Sequence, residues 1–491
     1  MTQQNAPTQR DDPNDVSSLL QKVYDPATFR QQGHALIDQL ADYFESVQSQ
    51  RDEVVFPQHS PEEHYRFWQN ELNGPLAEDP IAFFETVIQH SVKTHHPRYM
   101  GHQVAVSAPV SALAGLLSNV LNQGMALYEM GMSSVPMERL VVELLAKKIG
   151  YGASSSGILT SGGTLANLTA LLAARACKAP SNVWSEGHQE RLAIMVSEEA
   201  HYCVDRAARI MGLGNAGIIK LPTDVQYKMR CDLLEVYLAK AQREGLHVFA
   251  IIGSACSTST GSHDNLEAIA DFAERHNIWF HTDGAHGGGA VFSKKYQPLL
   301  KGIDRADSVV VDFHKVLMVP ALATALVFKR EQDSFSIFQQ KAQYLWNTVE
   351  ADWYNLGKRT FECTKYMMSL KIFTLLKLYS EELFAAVVDQ VYDLGQKFAK
   401  ILAKRPNFEL AMEPECNIVC FRVVKAGVSD LNAFNQELRN RILEKGHFYI
   451  VQTTLRNKVY LRTSLMNPLT TEQDLTILLD ELESLANTAA F

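Results

Sequence analysis

The first patterned stretch of the chain has a helical period. In "FRQQGHALIDQLADYFESV" apolar residues fall three and four apart, and "PEEHYRFWQNEL" opens with proline and acids suited to a first turn, so residues 25–95 are predicted to be helical. Residues 1–24 read as a ragged start. From 96 to 375 the pattern changes to short unbroken apolar runs between amphipathic stretches: "GILT" (157–160), "LAIMVS" (192–197), "VFAIIG" (248–253), "IWFH" (278–281) and "SVVVD" (308–312). Such runs suit strands buried on both faces, so a large α/β domain with a parallel sheet covered by helices is expected at 96–375. Past 376, a long helical stretch leads to "NIVCFRVV" and "KVYLRTSL", two strands of a smaller α+β domain at 376–491.

Each central run is followed by a polar cluster: Ser161-Gly162-Gly163-Thr164, then Glu199 and His201, then Ser257 and Thr258, then Asp283, then Asp312-Phe313-His314-Lys315. The carboxyl ends of strands in an open α/β sheet form the ligand crevice. Five clusters there imply one shared site.

Composition narrows the ligand. The net charge of −9 across 491 residues gives no basic surface for nucleic acid or membrane, so a small metabolite is the expected partner. Seven scattered cysteines form no CxxC pair, which fits neither a disulfide framework nor a zinc ribbon and points to a reducing, cytoplasmic setting. "MTQQNAPTQRDDPNDVSS" lacks the apolar core of a signal peptide, and no run reaches membrane-spanning length.

"WFHTDGAHGGGAV" (279–291) holds ligand types for a two-histidine, one-carboxylate iron centre, or else a strand ending in a turn. His281 and Asp283 face the same way on a strand, whereas His286 lies past Gly284 on a turn, so no metal is expected. "LTSGGTLANLTALLAARA" reads as a helix start or as a phosphate seat at a helix N-terminus, without the lysine and spacing of a nucleotide P-loop. Lys315, between two apolar runs, is either a snorkelling lysine or an amine whose pKa falls on desolvation, ready to form a Schiff base. With a phosphate turn, the aldehyde implied is pyridoxal phosphate. Asp283 would then hold the pyridine nitrogen protonated, and Gly284 with Ala285 would leave room for a flat ring.

At this point the chain resembles the pyridoxal-phosphate-dependent group II decarboxylases, which act on aromatic amino acids, glutamate, cysteine sulfinate or diaminobutyrate. The resemblance covers roughly residues 25–485. It rests on "HPRYMG" (96–101), "SGGTLANLTALLAAR", "EEAHYCVDRAARIMG", "HTDGAHGG", "ADSVVVDFHK", "QYL" (343–345) and "VYLRTSLMNPLTTEQDL", in the family's order. It implies a fold-type I enzyme that decarboxylates an L-amino acid, a homodimer with shared active sites. Lys315 would be the Schiff-base lysine and Asp283 the partner of the ring nitrogen. Ala285 and His201 would lie on the two ring faces, Gly163 and Thr164 at the phosphate, Asp312 and His314 close by, and Ser257 and Thr258 along the ring side. Tyr344 would be the proton donor on a mobile loop, a role that favours decarboxylation over the alternatives of aldehyde synthase or transaminase.

The chain also departs from the family. His286 stands where an aromatic residue is usual, and Lys365 where many members place an arginine for the substrate carboxylate, a role Arg359 would take over. His102 is a further substrate-binding candidate, with an ordinary loop histidine as the other reading. Substrate identity stays open among aromatic, acidic and diamino acids.

Overall fold

The computed structural model describes residues 16–77, 79–338 and 352–488. They divide into two compact units, one ending at His96 and one beginning at Pro97. The first unit is helical: α1 (Val16–Val23), α2 (Pro26–Gln48), α3 (Pro61–Asn73) and α4 (Pro80–Gln89). Local chemistry sets the starts. The Asp25 side chain accepts from the Ala27 and Thr28 backbone N–H groups, and Ser60 with Glu63 forms a reciprocal capping box, each ahead of a proline at the first helical position. Helix begins at Val16, inside the stretch expected to be ragged.

In the second unit, seven strands form one sheet: β1 (Ser156–Thr160), β2 (Leu192–Ser197), β3 (Ile218–Leu221), β4 (His247–Ser254), β5 (Trp279–Asp283), β6 (Ser308–Asp312) and β7 (Thr324–Phe328). Their order is β1-β7-β6-β5-β4-β2-β3. β7 pairs antiparallel with both β1 and β6, and the remaining pairs are parallel, so β7 alone runs against the other six. Neighbouring residues on a strand feed different cores. Val309 and Val311 join the cluster with Leu159, Ile251 and Phe280, whereas Val310 joins the cluster with Ile158, Ile252 and Trp279. Burial on both faces is why these strands read as continuous apolar runs.

Helices α5 (Pro109–Leu121), α6 (Ser134–Ile149) and α7 (Gly163–Lys178) belong to this unit, with β1 feeding directly into α7. A second, antiparallel sheet of β8 (Phe408–Leu410), β9 (Ile418–Val423), β10 (Val451–Leu455) and β11 (Lys458–Ser464) has the order β10-β11-β9-β8. The two strands expected from sequence are its central pair. Among the described residues no helix is long and apolar enough to cross a membrane.

Candidate active site

The polar clusters meet at a cavity of about 270 Å³ at the carboxyl ends of β1, β5 and β6. Gly163, Thr164 and Asn167 line it from α7; Asp283 from the end of β5, with Ala285 and His286 from the turn after it; Asp312, His314 and Lys315 from the end of β6; His201, Cys256 and Thr258 add to the wall. A larger cavity of about 650 Å³ lies elsewhere. Its cations are committed, Lys228 to Glu415, Arg230 to Asp232 and Lys301 to Glu267, so size does not make it the reactive site.

The α7 end of the cavity is built for an anion. Gly162 has φ +132°, a conformation that side chains avoid, and it turns the chain sharply from β1 into the helix. The Gly163 and Thr164 N–H groups precede the hydrogen-bond ladder of α7, which begins with Leu165 and Ala166 donating to the Gly162 carbonyl, and they carry the helix's positive dipole end. A Cβ on Gly163 would come within 3.4 Å of both Asp312 Oδ2 and Ala285 Cβ, so glycine sets how close the helix approaches the opposite wall.

His281 answers the question raised by the two histidines of "HTDGAH". Trp279 Nε1 donates to Ser308 Oγ (2.9 Å), Ser308 Oγ lies 2.8 Å from His281 Nδ1, and His281 Nε2 lies 2.8 Å from Asn167 Oδ1. Asn167 Nδ2 in turn donates to the Gly163 carbonyl at 2.8 Å. Because Asn167 presents its oxygen, His281 Nε2 carries the proton and Nδ1 accepts from the serine. Burial pulls the His281 pKa down to about 4, so the ring is neutral. This chain ties the first turn of α7 to two strands. Gly284, just beyond the strand, is needed for close backbone packing. A Cβ there would meet the Val310 carbonyl at 2.7 Å, so Gly284 lets the chain pass while Ala285 faces the cavity.

Lys315 Nζ lies 3.0 Å from Asp312 Oδ2, and Thr324 Oγ1 donates to Asp312 Oδ1 at 2.5 Å. Burial disfavours the ammonium, but the adjacent Asp312 carboxylate, helped by Asp283, outweighs it and the Lys315 pKa is raised. This corrects the expectation of a lowered pKa, which considered desolvation without the carboxylate three residues earlier. Asp283 is buried and accepts from the Ala285 N–H at 3.2 Å. His201 caps the helix Tyr202–Ile210, with Nδ1 accepting from the Cys203 N–H. Burial lowers its pKa, so a neutral ring keeps Nε2–H as a donor.

Other expected residues lie differently. Ser257 is buried behind the wall, its hydroxyl donating to the Glu199 carbonyl at 3.2 Å. His102 is exposed, its ring 5.8 Å from that of Tyr449, and it is not among the cavity's lining residues. Arg359 is 1% exposed and donates to Ser156 Oγ (3.0 Å) and the Gly157 carbonyl. Lys365 donates to Glu138 and to the Leu159 carbonyl (2.7 Å). Both cations are engaged along β1, and neither lines the cavity; holding a substrate carboxylate would require them to abandon buried partners. Tyr344 lies outside the described residues. Sequence reasoning missed Arg462, a buried guanidinium on β11 with no ion pair among the described residues and an unpartnered Nε. Its charge acts on His286 in the cavity wall and on His102. The only signal was an arginine inside the apolar run "VYLRTSL".

The pyridoxal-dependent decarboxylase conserved domain matches residues 73–424, and the chain belongs to that family. It is 28% identical over 416 residues to L-2,4-diaminobutyrate decarboxylase of Acinetobacter baumannii, covering 81% of each chain. It is 29% identical over 463 residues to aspartate 1-decarboxylase of Aliivibrio fischeri, covering 84% of each. The crystal structure of mouse CSAD superposes with a TM-score of 0.87 at 27% identity, over 94% of this chain and 99% of that one. The chain is a pyridoxal-phosphate-dependent amino acid carboxy-lyase. Its cavity fits the cofactor chemically, offering a helix N-terminus for a phosphate, an amine for an aldehyde and a buried carboxylate for a pyridinium. When bound, the cofactor supplies a sink for the electron pair left by the departing carboxylate.

Proposed function

We propose that Lys315 is the amine that bears the cofactor, that Asp283 keeps its ring nitrogen protonated, and that α7 with Thr164 holds its phosphate. The supporting observation is that these groups, separated by up to 152 positions from Gly163 to Lys315, line one cavity. Ala285 and His201 bound the ring from either side, and His201 Nε2–H serves as a donor. Asp312 holds a proton on Lys315 when the amine is free, and His314 and Thr258 complete the wall. Arg462 takes the substrate carboxylate in place of Arg359 and Lys365: like them it is not among the lining residues, but its charge acts on His286 in the cavity wall and its guanidinium has no carboxylate of its own among the described residues. Tyr344 donates the proton that replaces carbon dioxide; a phenol in that role separates an amine-forming enzyme from an aldehyde synthase.

The substrate in this reading is an L-amino acid with a short polar side chain, as in the names of the diaminobutyrate and aspartate relatives. The protein acts as a homodimer, supported by the exposed Leu113, Leu116, Leu117, Val120 and Leu121 on α5, more apolar surface than one helix normally leaves in water. Seven unpaired cysteines fit a reducing cytoplasm.

A panel of L-amino acids incubated with the holoenzyme tests the reading. Amine and carbon dioxide in equal amounts are expected, fastest from aspartate-sized substrates. Aldehyde with ammonia and peroxide from the unaltered protein would overturn the decarboxylase assignment, and a preference for tryptophan would overturn the side-chain assignment.

A further inference from the structure

Three buried side chains meet beside the cofactor cavity from distant parts of the sequence. Cys256 follows β4, His286 follows β5, and Cys416 precedes β9. They are 6%, 3% and 0% exposed, and one ligand atom from each lies within 4.8 Å of the others. The two sulfurs are 3.9 Å apart. A disulfide needs about 2.05 Å. Two thiolates on one tetrahedral zinc, with Zn–S of about 2.3 Å, stand about 3.8 Å apart.

The histidine supplies an independent observation. Its Nε2 lies 2.8 Å from Asn417 Oδ1, and Asn417 Nδ2 donates to the Leu465 carbonyl at 3.1 Å. The asparagine therefore offers its oxygen to the ring, Nε2 carries the proton, and the lone pair is on Nδ1. That Nδ1 is fully buried and has no hydrogen-bond partner among the described residues. Metal-bound histidines are commonly oriented in this way, by a hydrogen bond from the nitrogen that does not bind the metal. The other contacts of the cluster are weak: Cys416 Sγ reaches the Gly261 carbonyl at 3.5 Å.

We propose that Cys256, His286 and Cys416 bind one zinc-class divalent cation as a Cys₂His set with the fourth position open. Soft sulfur and imidazole ligands select zinc over magnesium or calcium. Binding releases two protons, one from each thiol, and the two thiolates balance the ion's charge. The ion joins the entrance of β9 to the cavity wall at Cys256 and His286. The site shares Cys256 and His286 with the wall of the cofactor cavity, but the argument for it does not depend on the decarboxylase reading.

The test uses the holoenzyme, dialysed against chelator and titrated with Co²⁺ in place of Zn²⁺. One Co²⁺ per chain is expected, with ligand-field absorption in the red, clear of the cofactor's bands. Cys416→Ser should weaken binding more than tenfold, and Cys177→Ser, at an exposed cysteine, should leave it unchanged. X-ray absorption at the zinc edge of unaltered protein, expected to show two sulfurs and one imidazole, gives an answer even if Cys416→Ser does not fold. The proposal is overturned by sub-stoichiometric cobalt, by equal binding in a folded Cys416→Ser protein, or by a Cys256–Cys416 disulfide peptide in an unreduced digest.

Discussion

Lys315 and Lys365 are both lysines withdrawn from water beside a carboxylate, yet they are opposites in chemistry. The Lys315 side chain keeps 19% of its exposure, opens onto the cavity and faces Asp312 at 3.0 Å. The Lys365 and Glu138 side chains are 2% and 1% exposed, neither is among the residues lining that cavity, and the Lys365 nitrogen also binds the Leu159 carbonyl. Burial lowers the Lys365 pKa despite Glu138, whereas Asp312 and Asp283 raise that of Lys315 despite burial. The difference shows that burial alone does not make a lysine reactive. Access to a cavity marks the one that meets a ligand; complete enclosure marks the one that holds strands and helices together.

The sharpest way to break this contrast is Lys315→Ala. It should abolish borohydride-trapped cofactor on the chain and reduce turnover below detection in a protein whose circular dichroism shows that it is still folded. Peptide mapping that finds trapped cofactor on another lysine would refute the assignment. Asp283→Asn comes next: cofactor should still bind, but turnover should fall by roughly a thousandfold, about 4 kcal/mol of barrier. Steady-state rates within tenfold of the unaltered enzyme would remove the carboxylate from the mechanism.

On the structural side, Lys365→Met leaves Glu138 buried and unpaired, which should cost about 3–5 kcal/mol in chemical denaturation. Adding Glu138→Gln, which still accepts from the Leu159 N–H, should recover most of it. No recovery would mean that the lysine acts otherwise than through that pair. The smallest effect is on pH. A raised pKa favours the ammonium, so any stability it contributes is fully present below the unfolded value and is lost as pH rises through the folded one. Cofactor attachment needs the free amine and should therefore accelerate toward alkaline pH. Asp312→Asn should shift that profile acidward in stopped-flow absorbance, and an unmoved profile would show that Asp312 does not set the amine's charge.

Much of the architecture was legible because strands buried on two faces have little freedom in composition. β2 and β6 have the limits of their apolar runs. β3 escaped notice because three of its four residues are only partly buried, and β7 because its run begins in a turn. The cavity residues were legible where a strand end and a polar cluster coincide, as at Asp283 and Lys315. The roles expected of Arg359 and Lys365 rested on charge alone, and charge does not reveal a partner 202 or 227 positions away. For the same reason the approach of Cys256 to Cys416, 160 positions apart, leaves no trace in local spacing.

The relay from Trp279 through Ser308, His281 and Asn167 to Gly163 has a consequence for timing. Every donor in it has one acceptor, so the first turn of α7 is fastened when the sheet forms, before any phosphate arrives. The entropy of ordering that turn is lost during folding, and less is left to lose when cofactor binds. A single imidazole in the floor of the sheet thereby sets how ready the empty protein is for its ligand.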